Sequence, residues 1–354
     1  MKTRAVDDQT NRHRTNASAL WQLLVQVALL FSLVSVGYGD DDSPAGGFQK
    51  ITLIVVPGSS RTQAQAINSK GQIVGSYLDS AHNGHGFLRM ADGTITSFDA
   101  PGATDTAAGD INSKSQIVGS YLDSAHNSHG FLRMADGTIT SFDPPGSTST
   151  NVAAINSKSQ IVGSYLDSAN NGHGFLRMAD GTITSFDPPG SIDTEPSAIN
   201  SEGQIAGYYQ DTAFNFHGFL RYKDGTLTSF DPPGSTFTIA TSINSEGQIV
   251  GVFSDSSFTY HGFLRYKDGT LTSFDAPGAF GVTSPSAINS EGQIVGRTKF
   301  SGFLRDEDGT FAVIAVPGAS LTRPNTINSE GQVVGSYLAP AGATNGAFSL
   351  RTDE

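Results

Sequence analysis

The stretch Ile67-Asn68-Ser69-Lys70-Gly71-Gln72-Ile73-Val74-Gly75 recurs seven times in this chain, with later copies beginning at Ile111, Ile155, Ile199, Ile243, Ile288 and Ile327. The steps between copies are 44, 44, 44, 44, 45 and 39 residues. A fixed period of this size marks a repeat architecture, in which one unit cannot cover its own apolar faces and relies on its neighbours. The 41 glycines, with abundant Ser, Thr and Asn, point to tight turns between short strands rather than to helices.

Four short segments in each unit fit strands. The first, as in residues 106–111, is small and polar and suits a crowded position near an axis. The second (72–77) and third (86–89) set apolar residues side by side, so both faces of the sheet are expected to be covered. The fourth (94–99) carries more hydroxyls and suits an outer position. Asp-Gly, a strong hairpin signal, joins the third to the fourth at Asp92-Gly93 and again at Asp136, Asp180, Asp224, Asp268 and Asp308. The seventh unit stops after its third strand, residues 346–351. Its missing partner stands at the other end of the chain, as residues 51–56, followed by Pro57-Gly58. The expected fold is therefore an all-β, seven-bladed β-propeller over residues 49–354. It has four antiparallel strands per blade, and the N-terminal strand 51–56 closes the last blade.

Residues 1–39 differ in character. Lys2, Arg4, Arg12 and Arg14 precede an apolar run from Leu23 to Val36 and the small residues Gly37 and Gly39, the layout of a secretory signal with a long basic leader. An uncleaved membrane anchor is the alternative, which Gln22, Gln26 and the short apolar run disfavour. Cleavage after Gly39 would remove four positive and two negative charges, taking the formal charge from -12 to -14. Such a surface repels phosphate backbones, so no nucleic-acid partner is expected. Residues 40–48 read as an acidic flexible linker. The absence of cysteine leaves an exported domain to hold together by packing alone.

The unit Ile-Asn-Ser-x-Gly-Gln-Ile-Val-Gly, then His-Gly-Phe-Leu-Arg, then Asp-Gly-Thr and Pro-Gly resembles the bacterial extracellular repeats called the HAF family, after their His-Ala-Phe triplet. That triplet is His-Gly-Phe in five copies here, Ser301-Gly302-Phe303 in the sixth and Gly346-Ala347-Phe348 in the seventh. The resemblance covers nearly all of residues 49–354. It implies an exported repeat protein and brings no catalytic residues.

His85, His129, His173, His217 and His261 recur once per unit, but equivalent positions are spread around a propeller and cannot converge on one ion. A three-residue Asp-Gly loop would set His85 opposite Asp99, and likewise His129 and Asp143, His173 and Asp187, His217 and Asp231, and His261 and Asp275; a two-residue loop would make them diagonal neighbours. In unit six Ser301 and Ala315 replace both members, and in unit seven Gly346 and Val55 do, so both partners are lost together. Structural His–Asp hydrogen bonds are expected. The loop at 79–83 lacks the acidic spacing of a calcium loop, and neither metal nor cofactor is expected.

Units one to three are nearly identical and cannot by themselves assemble unlike residues at one catalytic centre. Units four and five differ by bringing Phe214, Phe216, Phe258 and Tyr260 into the loops between second and third strands, and Phe237 and Phe280 into the loops leading to the next unit. Both loop types emerge on one propeller face, where six aromatics suit a glycan or protein partner. Unit six is five residues shorter, with Arg297, Lys299 and Phe300 making a basic spot. The expectation is a monomeric, exported, non-enzymatic binding scaffold, touching a membrane only through an uncleaved leader. A polysaccharide lyase or hydrolase with its site at the central channel and a purely structural surface protein are the alternatives.

Overall fold

The computed structural model describes residues 51–340 and 345–351; the leader (1–39) and linker (40–48) expected from sequence lie outside the described residues. The described residues form twenty-eight strands, β1 to β28 in chain order, in seven four-stranded sheets. Blade one is β2 (Arg61–Ile67), β3 (Ile73–Leu78), β4 (Gly84–Arg89) and β5 (Ile95–Phe98), antiparallel throughout. The next twenty strands build blades two to six in the same order. Blade seven combines β26 (Leu321–Ile327), β27 (Gln332–Leu338) and β28 (Gly346–Arg351) with β1 (Thr52–Ile54). Thr52 pairs with Ser349, Leu53 with Phe348 and Ile54 with Ala347, so residues from both ends of the propeller share the last sheet. First strands of successive blades touch in a closed cycle, which places them innermost around the channel.

The repeated residues explain this frame locally. β2 bulges between Ala64 and Ala66, opposite Gly75. A Cβ on Gly75 would fall on the Gln63 carbonyl oxygen and press the Phe87 ring, and its six equivalents meet the same two groups in their own blades. Close backbone approach, not anion binding, accounts for that glycine. Between blades the faces interlock: Val74 and Leu88 of blade one pack with Ile117 and Phe131 of blade two. Phe87, Phe131, Phe175, Phe219, Phe263 and Phe348 are fully buried at such junctions, each stabilising the contact by about 1.5–3 kcal/mol.

Asn68 does more than serve its turn. Its Oδ1 accepts from the backbone N–H groups of Lys70 and Gln72, while its Nδ2 donates to Gln72 Oε1 and, 3.0 Å away, to the carbonyl of Asn112 in the next blade. The same donation runs from Asn112 to Asn156, then to Asn200, Asn244, Asn289 and Asn328, and from Asn328 back to Asn68. Seven buried side chains thus lace all blades into one hydrogen-bonded ring.

Candidate functional site

Each Asp-Gly hairpin has a three-residue loop: Met90 and Thr94 exchange a backbone bond, and Gly93 takes φ 94°. This register sets each histidine opposite its aspartate. His85 Nδ1 lies 2.9 Å from Asp99, His129 2.8 Å from Asp143, His173 2.7 Å from Asp187, His217 2.7 Å from Asp231 and His261 2.9 Å from Asp275. The second ring nitrogen faces another carboxylate, which the sequence reading missed: Asp79, Asp123, Asp167, Asp211 and Asp255 lie 3.2–3.5 Å from Nε2. An aromatic ring of the second strand, Tyr77 in blade one and Phe253 in blade five, stacks on each imidazole.

At His85, His173 and His217 burial alone would lower the pKa, but the hydrogen bonds and charges of the two aspartates outweigh it and hold the imidazole above its ordinary 6.5. At His129 the Asp143 hydrogen bond leads, with the same outcome. Asp79, Asp123 and Asp167 are held down at about 2, chiefly by hydrogen bonds from the backbone and side chain of Asn83, Asn127 and Asn171. Each carboxylate is occupied by its own turn, and among the described residues no three His, Cys, Asp or Glu side chains are grouped as metal ligands.

The aromatics of blades four to six form a band on the loop face. Phe216 and Phe237 have ring centroids 5.2 Å apart, Tyr208 lies 6.1 Å from Phe216, and Tyr260 6.4 Å from Phe237. Backbone hydrogen bonds between Tyr260 and the 281–283 segment draw in the neighbouring loop, where Phe280 pairs with Phe300 of blade six at 6.0 Å. Phe214 and Phe258 stand at hairpin tips with no ring contact among the described residues. They, with Phe280, are 69%, 82% and 75% exposed.

The innermost strands hold a set of unlike residues. In every blade a buried threonine (Thr62 in blade one) stands five positions before the repeated isoleucine. In several blades its hydroxyl accepts from the backbone N–H that follows the preceding fourth strand, as Thr106 does from Ala100 at 3.1 Å. Strand alternation puts the residues on either side of it on the opposite face of the strand, where Gln63 and Ala107 line the space between blades one and two. The position just after the threonine is occupied by Gln63, Ala107, Asn151, Glu195, Ile239, Ser284 and Arg323, seven different residues in seven copies. The position just before it includes Arg61, Asp105, Asp193 and Phe237. These differing charges lie on strands rather than in the aromatic loops that set units four and five apart. Aligning the copies on Ile-Asn-Ser and reading four residues back would have found them.

The acidic sector is centred on Glu195, which pairs in register with Tyr208 and reaches Ser164 of blade three. Burial, then the charge of Asp193, pushes the Glu195 carboxyl up to about 7. Asp193 is raised too, first by burial. On the opposite side of the ring, Arg323 shares a cleft with Arg61, and blade six contributes Arg297, paired in register with Ser284. A further cavity of about 420 Å³ between blades one and two is lined by Arg61, Gln63, Asp105 and Tyr121 among others.

These shifts have one sign in common above pH 4.5. A histidine with a raised folded pKa stabilises fully below 6.5 and loses that contribution as pH rises through its folded value; a glutamate raised from 4.5 to about 7 loses stability over that window. The depressed aspartates stabilise above 3.8 and lose this as pH falls towards 2. Thermal midpoints are therefore expected to peak near pH 4–5 and decline to pH 8, with the decline between pH 4.5 and 7 flattened in Glu195→Gln. A midpoint that is highest at pH 8 would refute this reading.

Neither a family model nor a curated protein matches the chain. Solved structures do. Virginiamycin B lyase from Staphylococcus aureus is similar at 14% identity and a TM-score of 0.60, over 86% of this chain and 99% of that one. A streptogramin B lyase is similar at 15% identity and a TM-score of 0.58, over 87% and 98%. The β-propeller domain of the Trilobed protease from Pyrococcus furiosus, described as having an open velcro topology, is similar at 11% identity and a TM-score of 0.59, over 81% and 94%. At these identities the likeness is one of fold, and this chain is a seven-bladed β-propeller similar to those of the lyases.

Proposed function

We propose that this chain is an exported, non-enzymatic binding propeller that takes an extracellular glycan on its loop face, along the aromatic band of blades four to six. The observation that carries this is the state of three phenylalanines. Phe214, Phe258 and Phe280 are largely exposed and hold φ of 65°, 60° and 49°, a left-handed backbone that Asn170 and His82, at the positions equivalent to Phe214 and Phe258, occupy at less steric expense. Such conformations cost of order 1–3 kcal/mol each, and the tips Phe214 and Phe258, which make no ring contact among the described residues, offset little of it. A reason outside the fold keeps them there, and flat rings in a row suit sugar faces. Export follows from the HAF-like repeat and the leader pattern of residues 1–39.

The test is a glycan array beside a peptide array, with wild type and a Phe214→Asn, Phe258→Asn, Phe280→Asn triple variant. Glycan signal is expected to fall at least tenfold with the thermal midpoint unchanged or raised. Equal signals from both proteins would remove the proposal, and binding confined to peptides would replace the glycan with a protein partner. A second reading, a polymer lyase or hydrolase acting at the channel mouth, is favoured by Glu195 alone, whose carboxyl near 7 beside Tyr208 has the poise of a general acid or base. It requires turnover of the bound glycan that Glu195→Gln abolishes.

A further inference from the structure

We propose that the cavity between blades one and two is a second binding site, built for a single neutral sugar unit and separate from the aromatic band of blades four to six. It goes beyond the glycan reading above and does not depend on it.

The cavity holds about 420 Å³, within the range of about 300–1,000 Å³ usual for small-molecule sites. Strand equivalence shows why it opens at this junction. In blade four the side chain after the buried threonine, Glu195, reaches back to Ser164, the residue after the repeated glycine in the second strand of blade three. In blade two the corresponding pair is Ala107 and Ser76, and both line the cavity. The space is therefore one that a long side chain fills elsewhere, and Ala107 is the smallest of the seven residues at its position. Gly84 keeps the space clear from the third strand of blade one, where blades four and five carry Phe216 and Tyr260. Its N–H donates to Asp105 Oδ1 at 2.8 Å and fixes that carboxylate in the cavity wall.

The lining sets the class of ligand. Arg61 and Asp105 balance in charge, so the wall as a whole favours neither an anion nor a cation. Gln63 and Ser76 make no side-chain hydrogen bond among the described residues, whereas Ser120, the counterpart of Ser76 in blade two, accepts from Val152 N at 3.0 Å. With the Asp105 oxygen that Gly84 does not occupy, they present an amide, a hydroxyl and a carboxylate to the same space, the mixture of donors and acceptors that neighbouring hydroxyls of a sugar pair with. Leu78 and the buried Tyr121 supply an apolar wall for the C–H face of a pyranose ring. A small zwitterion would use Arg61 and Asp105 alone and leave Gln63 and Ser76 without a partner in the complex, which favours the polyol.

The experiment titrates the full chain by calorimetry with free glucose, galactose, mannose and N-acetylglucosamine, and with glycine as a zwitterion. Wild type is expected to bind at least one of the sugars saturably and not to bind glycine. Ala107→Gln installs the residue that blade one carries at the same position, so the fold is kept while the side chain enters the cavity, and affinity is expected to fall about tenfold or more. Asp105→Asn keeps an oxygen for the Gly84 N–H and should weaken binding by a similar factor. Ser76→Ala should weaken it about threefold to tenfold. Should Ala107→Gln melt lower than wild type, the other two variants carry the test. No saturable binding of any of the four sugars, equal affinity in wild type and the three variants, or binding of glycine alone would each overturn the proposal. The Phe214, Phe258, Phe280 triple variant should bind the free sugar as wild type does, and loss of that binding would also overturn this placing of the site. The glycan reading is decided separately, by the array signals of wild type and the triple variant.

Discussion

A chain beginning at Pro57 is expected to lose most of its cooperative unfolding transition, whereas one beginning at Ile51 keeps it. β1 supplies two things at once. Its backbone covers the open edge of β28, and Ile54 and Val56, 2% and 4% exposed, wedge between Val334 and Ala347 of blade seven and Ile67, Ile73 and Phe87 of blade one. Losing two such side chains alone removes about 3–6 kcal/mol, a large part of the 5–15 kcal/mol that holds a typical domain. The asparagine ring also spans this junction, through Asn328 and Asn68, and truncation leaves it intact. Denaturant titration of the two chains decides which closure dominates: equal midpoints would mean that the ring and the remaining packing suffice without β1.

The ring has its own test in Asn156→Asp. The substitution keeps shape and keeps the oxygen that accepts from Lys158 and Gln160. It replaces the Nδ2 donor, which faces the Asn200 carbonyl at 3.0 Å and Gln160 Oε1 at 2.8 Å, with an oxygen confronting two acceptors. A carboxylate buried against lone pairs is costly, and a loss of about 3–5 kcal/mol is expected, against about 1–3 for Asn156→Ala. The new carboxyl would be neutral more readily in the folded state than in the unfolded one, so stability should recover as pH falls through its raised folded pKa and be fully regained by about pH 4. An Asp variant as stable as the Ala variant at pH 7 would show that the ring donation contributes little.

Much of this was legible in the sequence because repetition averages out local ambiguity. Seven copies of an alternating pattern, six Asp-Gly turns and one unmatched strand at each end leave few arrangements open, and β1 beside β28 is the one observed. The histidine partners were legible for a related reason: a hairpin is local, and its register follows from its loop. The second carboxylate on each imidazole was not, because Asp79 approaches His85 through the turn its own side chain organises. The aromatic band was visible as a list of residues, while its division into a contacting row and exposed tips depended on how adjacent blades meet.

The sequence by itself determined the blade, the number of blades and the way the ring shuts, since period, turns and strand alternation are properties of short segments. Only the tertiary structure decided what the inner strands do. Gln63, Glu195 and Arg323 hold one position in three copies and look like tolerated variation when read along the chain. Closing the ring brings those positions around a single opening, where charge acts across space and not along the backbone. The same closure turns Asn68, a turn residue in one blade, into a link between two.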